Sequence, residues 1–256
     1  MSGARLVLTR PRQQTLDWLS RLAQFGVDAL SLPLIDIVPS DGSAASAAWQ
    51  ELPGAGMAMF VSPNAVSQFF AHRPAGRVWP AQTLAACVGP GSAKALLAEG
   101  VPADQIVQPP LGAASLDSEH LWPQLQQRGP WQGRRCLMLR GDGGREWLAE
   151  RLREAGAQTL AFNVYQRRSP SLDASGQTLL AQILQRPERH VWLFSSAEAI
   201  GNLQGLAPPA TDWSRASCIA THERIAARAR TLGLGLVVLA RPEASSVVEA
   251  FRAMQG

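Results

Sequence analysis

The sequence predicts an α/β protein of two similar lobes, each a parallel sheet flanked by helices, joined by a two-strand hinge. Three observations carry that expectation. The first is an internal duplication: RLVLTRPRQQTLDWLSRLAQFGVDALSLPLIDI from Arg5 lies without gaps on RCLMLRGDGGREWLAERLREAGAQTLAFNVYQR from Arg135. A constant offset of 130 positions pairs Arg10 with Arg140, Leu22 with Leu152, Gly26 with Gly156 and Leu30 with Leu160. The second is a further pair of matches. MAMFVSPNAV, ending at Val66, resembles HVWLFSSAEAI, ending at Ile200, and AACVGPGSAKALLAEG from Ala85 resembles ASCIATHERIAARARTLG from Ala216. The third is that every copy reads as a short apolar strand, a small polar loop and an amphipathic helix. Strands alternating with helices build parallel sheets covered on both faces.

Similarity at a fixed offset is a statement about architecture, and here the period is the size of a domain. Along the chain the modules run one, two, three, one, two, three. If each lobe needs one of each, the middle run forms a lobe over residues 38–166. The first module then joins the last two, giving a discontinuous lobe of residues 1–36 and 168–256. A simple cut near the middle is the alternative. A length of 256 residues suits two cores better than one. Ile35–Val38 leaves the first lobe and Val164–Arg167 returns to it, so these stretches are expected to pair as a hinge beneath a ligand-binding cleft.

In the first copy Leu6-Val7-Leu8 is the strand and Thr9-Arg10-Pro11 breaks it. The helix that follows is expected to bury Leu16, Leu19, Leu22 and Ala23 and to end at Gly26, a left-handed cap. One strand is expected over Ala29–Ile37. In the second copy Cys136–Leu139 is the strand, Arg140-Gly-Asp-Gly-Gly144 the loop, and Trp147, Leu148 and Leu152 the buried helix face. Thr159–Tyr165 is the exit strand. Strands Met57–Val61 and Val191–Phe194 lead into Ser62-Pro63-Asn64 and Ser195-Ser196. Strands Ala85–Val88 and Cys218–Ala220 lead into Gly89-Pro90-Gly91-Ser92 and Thr221-His222-Glu223. All these loops fall at the carboxyl edge of a parallel sheet, where ligands bind.

Composition narrows the class. Apolar residues make up 46% and charged residues 17% of the chain, as in an ordinary soluble globule. No apolar run reaches the eighteen or so residues of a membrane span, and Leu6–Leu8, closed by Arg10, is no signal sequence. Cys87, Cys136 and Cys218 have no metal or CxxC spacing, which points to buried reduced thiols and a cytoplasmic protein. The 24 cations are all arginine except Lys94. Arginine suits polyanionic ligands, but these are scattered, whereas nucleic-acid binders usually show a stripe. Neither a nucleic acid nor a membrane is an expected partner.

Several stretches together resemble uroporphyrinogen-III synthases. They are Thr9–Pro11, FVSPNAV at Phe60–Val66, VGPGSAKAL at Val88–Leu96, LRGDGGREWLAERLREAGA at Leu139–Ala157, VYQR at Val164–Arg167 and LFSSAEAI from Leu193. DSEHL at Asp117–Leu121 also matches. Each motif is weak alone; their order along the whole chain is the specific signal. The resemblance implies two α/β lobes joined by a β-ladder and no metal or organic cofactor. It further implies an enzyme that dehydrates hydroxymethylbilane, inverts its fourth pyrrole ring and closes the macrocycle. A monomer is expected. The acetate and propionate groups of such a substrate would give the arginines a use.

The resemblance also singles out Tyr165, the only tyrosine in the chain, as the residue that assists loss of the hydroxyl. A phenol ordinarily titrates near pH 10 and can donate to a departing hydroxyl. Its other reading is a half-buried strand residue with its hydroxyl in solvent. Thr9 and Arg10 are candidates to bind a side-chain carboxylate, or else an exposed loop that starts a helix. Ser62, Asn64, Ser195 and Ser196 match positions that contact ligand in the family, and the serines are equally placed to cap helices. Gly89, Arg140 and Gly141 are candidates through loops that allow close backbone approach, although the spacing is that of neither GxGxxG nor a P-loop. His222 could bind substrate or act as an acid. Asp117-Ser118 reads as a helix cap, and His72, His120 and His190 as surface residues. A catalytically silent bilobal sensor and a nucleotide-handling enzyme are the rival classes.

Overall fold

The protein is described here by a computed structural model covering residues 4–110, 112–143 and 146–255. The chain divides into two compact units, Met1–Asp36 with Arg168–Gly256, and Ile37–Arg167. It begins with β1 (Arg5–Leu8), α1 (Arg12–Gln24) and β2 (Ala29–Ser31). The second unit follows: β3 (Asp36–Pro39), α2 (Ser43–Glu51), β4 (Ala55–Phe60), α3 (Pro63–Phe70), β5 (Leu84–Cys87), α4 (Pro90–Ala98) and β6 (Ile106–Val107). It continues through α5 (Ser118–Gln126), β7 (Arg135–Gly141), α6 (Trp147–Glu154) and β8 (Gln158–Arg168). The remainder returns to the first unit as α7 (Ala174–Gln185), β9 (His190–Phe194), α8 (Ala197–Leu206), β10 (Ser217–Ala220), α9 (Glu223–Leu232), β11 (Leu236–Leu239) and α10 (Ala244–Ala253).

Five strands in the order β11-β10-β9-β1-β2 form the first unit's sheet, and every pairing is parallel. The other sheet runs β3-β8-β7-β4-β5-β6, with β8, β7, β4, β5 and β6 parallel to one another. Its strands are apolar on both faces because helices cover both. Ala58, Phe60, Leu137 and Leu139 face one cluster, while Met57, Met59, Cys136 and Met138 face the other. The first cluster is anchored by aromatic rings. Trp49 stacks on Phe69 at 4.4 Å, and its indole N–H donates to the Phe69 carbonyl at 2.9 Å. Phe60 meets Phe69 edge-on at 5.5 Å. These contacts fix α3 on the sheet, and so fix the serine at its N-terminus.

The duplicated module closes alike in both units. Gly26 and Gly156 have φ of 70° and 84°. Val27 donates to Leu22 and Ala157 to Leu152, at 3.1 and 2.9 Å, the long-range bond of a Schellman turn. Three details depart from the sequence expectation. In α1 the buried stripe is Thr15, Trp18 and Leu22, whereas Leu16 is 72% exposed and Ala23 is exposed. The large Trp18 ring sets the rotation of the helix, and Leu16 stands about 100° round from Thr15. The strand expected over Ala29–Ile37 is two strands in different sheets, β2 and β3. Pro33 lacks the N–H that a continuous ladder needs. Trp147 is only half-buried, and Ala149 takes its place beside Leu148 and Leu152.

Cys87, Cys136 and Cys218 are buried and free. Burial pushes each thiol from its ordinary 9.0 up to about 12. The unfolded chain therefore loses these protons near pH 9 while the folded chain keeps them, and stability falls as pH rises from about 9 toward about 12. At pH 8 a thiol-specific alkylating reagent should label none of the three in the native protein and all of them in denaturant. Rapid native labelling would contradict the burial.

Candidate functional site

β7 and β8 run in register from Arg135 opposite Gln158 to Arg140 opposite Asn163, and then slip so that Gly141 faces Tyr165. The extra residue is Val164. A bulge of this kind re-aims the next side chain, so Val164 and Tyr165, though consecutive, both join the Phe60 cluster. Tyr165 is only 2% exposed. Its ring lies on Gly141: a Cβ there would sit 2.6 Å from Tyr165 Cε2 and 2.9 Å from Cζ. No residue with a side chain fits that position without moving the phenol.

The hydroxyl of Tyr165 lies 2.9 Å from Ser62 Oγ. Ser62 is the N-cap of α3 and accepts from Ala65 N–H at 3.2 Å. The phenol thus reaches the carboxyl edge of the sheet, at the positive end of a helix dipole. The alternative of a tyrosine with its hydroxyl in solvent is not what the structure contains. Asp142 accepts from the Arg167 N–H at 2.8 Å, tying the loop after β7 to the end of β8. Gly144 lies outside the described residues.

The other candidates separate. Thr9 is 1% exposed and donates its hydroxyl to the Leu193 carbonyl at 2.7 Å. It ties β1 to β9 rather than standing in an exposed loop. Arg10 lies over Trp18 with its guanidinium carbon 4.4 Å from the ring centroid, and its Nε is buried with no hydrogen-bond partner. Burial, and then the nearby Arg21 cation, lower its pKa to about 10. At neutral pH it is an under-compensated cation at a strand end, the condition in which an added carboxylate is most favourable.

Arg140 is differently placed. It follows Met138 on the face away from Tyr165 and bridges Glu146, which also takes Arg153 at 3.4 Å. The two residues of the loop motif, Arg140 and Gly141, therefore serve opposite faces of one sheet. Asn64 is buried in the first turn of α3. Gly89 caps α4 with open space where a Cβ would stand. Ser196 caps α8, accepting from Glu198 N–H at 3.3 Å, and Ser195, half-buried, precedes it. His222 caps α9: its Nδ1 accepts from Arg224 N–H at 3.1 Å. That bond requires the neutral ring with its proton on Nε2, so a doubly protonated His222 would forfeit the cap. His72, His120 and His190 are partly buried rather than simply exposed. His120 Nδ1 sits 2.6 Å from the Asp117 carboxylate, the N-cap of α5.

Cavity size points elsewhere from chemistry. A cavity of about 910 Å³ in the first unit is walled by Leu172, Leu180, Leu184 and Leu206. It lies by the segments that enter β9 and β10, at the amino edge. Its rim groups are already bonded, Arg215 to Glu188 and Asp212 to Ser214. The candidate groups lie instead on loops at the carboxyl edges of the two sheets. Among the described residues no cluster of His, Cys, Asp and Glu could hold a metal ion.

A family model described as uroporphyrinogen-III synthase HemD matches residues 17–249 of the chain. The uroporphyrinogen-III synthase of Salmonella typhimurium is 29% identical over 247 residues, covering 89% of this chain and 91% of that protein. The Escherichia coli K12 protein of the same name is 28% identical over 237 residues, with 89% and 91% covered. Two crystal structures share the fold. A mutant uroporphyrinogen III synthase from Thermus thermophilus matches with TM-score 0.61 and 18% identity over 98% of each chain. The uroporphyrinogen-III synthetase of Helicobacter pylori 26695 matches with TM-score 0.61 and 15% identity over 98% of this chain and 99% of that one.

Because the Tyr165 ring occupies the space of the missing Cβ, Gly141→Ala should destabilise the protein by about 1–3 kcal/mol, the usual cost of overpacking. Denaturant titration measures this. A variant as stable as the parent would mean that the ring yields freely.

Proposed function

The chain belongs to the uroporphyrinogen-III synthase family, whose model spans most of its length, and on that footing we propose that Tyr165 is its proton donor. It is an enzyme of tetrapyrrole biosynthesis, a cyclising lyase acting on hydroxymethylbilane. The reaction asks little nucleophilic help from the protein. An electron-rich pyrrole expels the terminal hydroxyl if a proton accompanies it. The phenol of Tyr165 supplies that proton, and water departs. The azafulvenium cation left behind is attacked by the substituted α-carbon of the fourth ring. The bond from that carbon to the methylene bridge of the third ring then breaks, the bridge re-forms at the free α-carbon of the fourth ring, and that carbon loses its proton. Confinement decides which carbon attacks.

The observation that carries this reading is the placement of the hydroxyl. The ring is buried and locked on Gly141, while its hydroxyl meets a helix N-terminus at the edge where parallel sheets bind ligands. Arg10 supports the binding half of the proposal: its Nε, like that of Arg140, is buried without a partner, but among the described residues only Asp17 nearby offsets its charge. Backbone N–H groups at the starts of α4, α8 and α9 suit the remaining carboxylates. Arg140 contributes less, being committed to Glu146. Many arginines are bridged to acids, as in Arg5–Asp28, Arg21–Asp17 and Arg73–Glu99, and the chain shows no cationic stripe, which supports a small-molecule ligand rather than a nucleic acid. No described helix is long and apolar enough to cross a membrane. We read the working unit as a single chain in the cytoplasm.

Tyr165→Phe keeps the packing and removes the proton. Its turnover of freshly generated hydroxymethylbilane should fall by about 10²-fold, the low end for general-acid catalysis, with the inverted isomer still formed. Undiminished turnover would remove the acid role, and a product mixture from the parent protein no different from spontaneous closure would make it a silent binding module. Arg10→Ala should raise KM more than it lowers kcat, the mark of an interaction equal in ground and transition states. Unchanged KM would assign carboxylate binding to the backbone.

A further inference from the structure

We propose that Ser62 is a positioning residue for the reaction, donating its hydroxyl hydrogen to the Tyr165 oxygen so that the phenol hydrogen is turned toward the departing hydroxyl. The inference rests on Tyr165 being the proton donor and assigns the direction of one hydrogen bond. The 2.9 Å contact between the two oxygens can run either way. A serine hydroxyl has one hydrogen and two lone pairs. One lone pair of Ser62 is taken by Ala65 N–H at 3.2 Å, and its hydrogen remains free to be given. Among the described residues the acceptor in contact with it is the phenol oxygen, 103 residues along the chain. If Tyr165 donated to Ser62 instead, its proton would be spent on the protein and withheld from the substrate.

The arrangement also serves the step after proton transfer. When the phenol proton leaves with the hydroxyl as water, the phenolate oxygen is already held by the Ser62 hydrogen and by the positive end of α3. The phenolate is later reprotonated by the proton that the newly bonded pyrrole carbon releases, so the cycle balances without another reagent. In this role Ser62 acts through Tyr165, which separates it from a residue that binds substrate. The duplicated frame supports a role added to capping. Ser196 is the matching cap in the other unit, and the position that matches Tyr165 there is Ile35. Capping alone therefore needs no phenol.

A double-mutant cycle tests the proposal with hydroxymethylbilane as substrate, using Ser62→Ala, Ser62→Thr, Tyr165→Phe and the Ser62→Ala/Tyr165→Phe pair. Ser62→Ala should lower kcat roughly tenfold with KM little changed, because a charge-assisted hydrogen bond present in the transition state is lost. Ser62→Thr, which keeps both the cap and the donor, should restore most of kcat. In the Tyr165→Phe background, Ser62→Ala should cost nothing further in kcat, since it acts through the phenol. Thermal midpoints recorded in parallel separate loss of the cap, which is common to both backgrounds, from loss of the Ser62–Tyr165 bond, which occurs only where Tyr165 is present. A kcat loss of equal size in both backgrounds, a loss confined to KM, or full turnover by Ser62→Ala would each overturn the proposal while leaving Tyr165 as donor. Full turnover by Tyr165→Phe would overturn both.

Discussion

The contact on which the site depends is the one between the Tyr165 ring and the bare Cα of Gly141. A tyrosine on a buried parallel strand would ordinarily face one or other core with its hydroxyl wherever packing left it. Here the slip at Val164 turns the ring onto the Phe60 side, and the missing Cβ lets it lie flat against β7. The ring is thereby fixed between two strands before its hydroxyl meets Ser62. Close packing tolerates few alternative poses, so the oxygen is delivered to the sheet edge with little conformational freedom left. Preorganisation of this sort lowers the entropic cost of the productive geometry.

The duplication throws the same contact into relief. In the first unit the positions that match Gly141 and Tyr165 are Pro11 and Ile35. Ile35 is buried as Tyr165 is, but it brings no polar atom to the edge. Instead Thr9 closes the end of β1 onto Leu193 with a buried hydrogen bond, and Arg10 rests on Trp18. One duplicated frame therefore brings a phenol to the sheet edge in one copy and a partly desolvated cation in the other. The second copy has the cation too, as Arg140, but neutralises it with Glu146 on the opposite face of the sheet.

Much of the fold was legible because repetition makes weak signals add. Strand starts, helix faces and the glycine ends of α1 and α6 could be read from two copies at once, and the first sheet, with β8 to β6 of the second, is parallel as the alternation required. Expectations failed where one copy departed from its partner. Leu16 looked like a core residue by spacing, but Trp18 governs the rotation of α1. Pro33 split a run that hydropathy joined. The residues of the candidate site could be picked out in the sequence, but not their arrangement. Tyr165, Ser62 and Gly141 each stood out, yet nothing in a linear pattern says that a serine will meet a phenol 103 residues away. The bulge at Val164 has no sequence signal of its own. The pairing of Arg140 with Glu146 was visible as a spacing of opposite charges, and would have argued against Arg140 as a free cation.

Since Tyr165 is the only tyrosine in the chain, biosynthetic replacement of tyrosine by fluorinated analogues changes one site and nothing else. The acidity of the phenol can then be graded without altering its packing appreciably. The decisive measurement is the single-turnover rate of hydroxyl loss from hydroxymethylbilane, with tyrosine, 3-fluorotyrosine or 2,3-difluorotyrosine at position 165. It is made at a pH where all three phenols hold their protons. If the phenol gives its proton in the rate-determining transition state, the rate climbs steadily with acidity along the series, as general-acid catalysis requires. A rate that does not change across the three proteins would contradict proton donation by Tyr165.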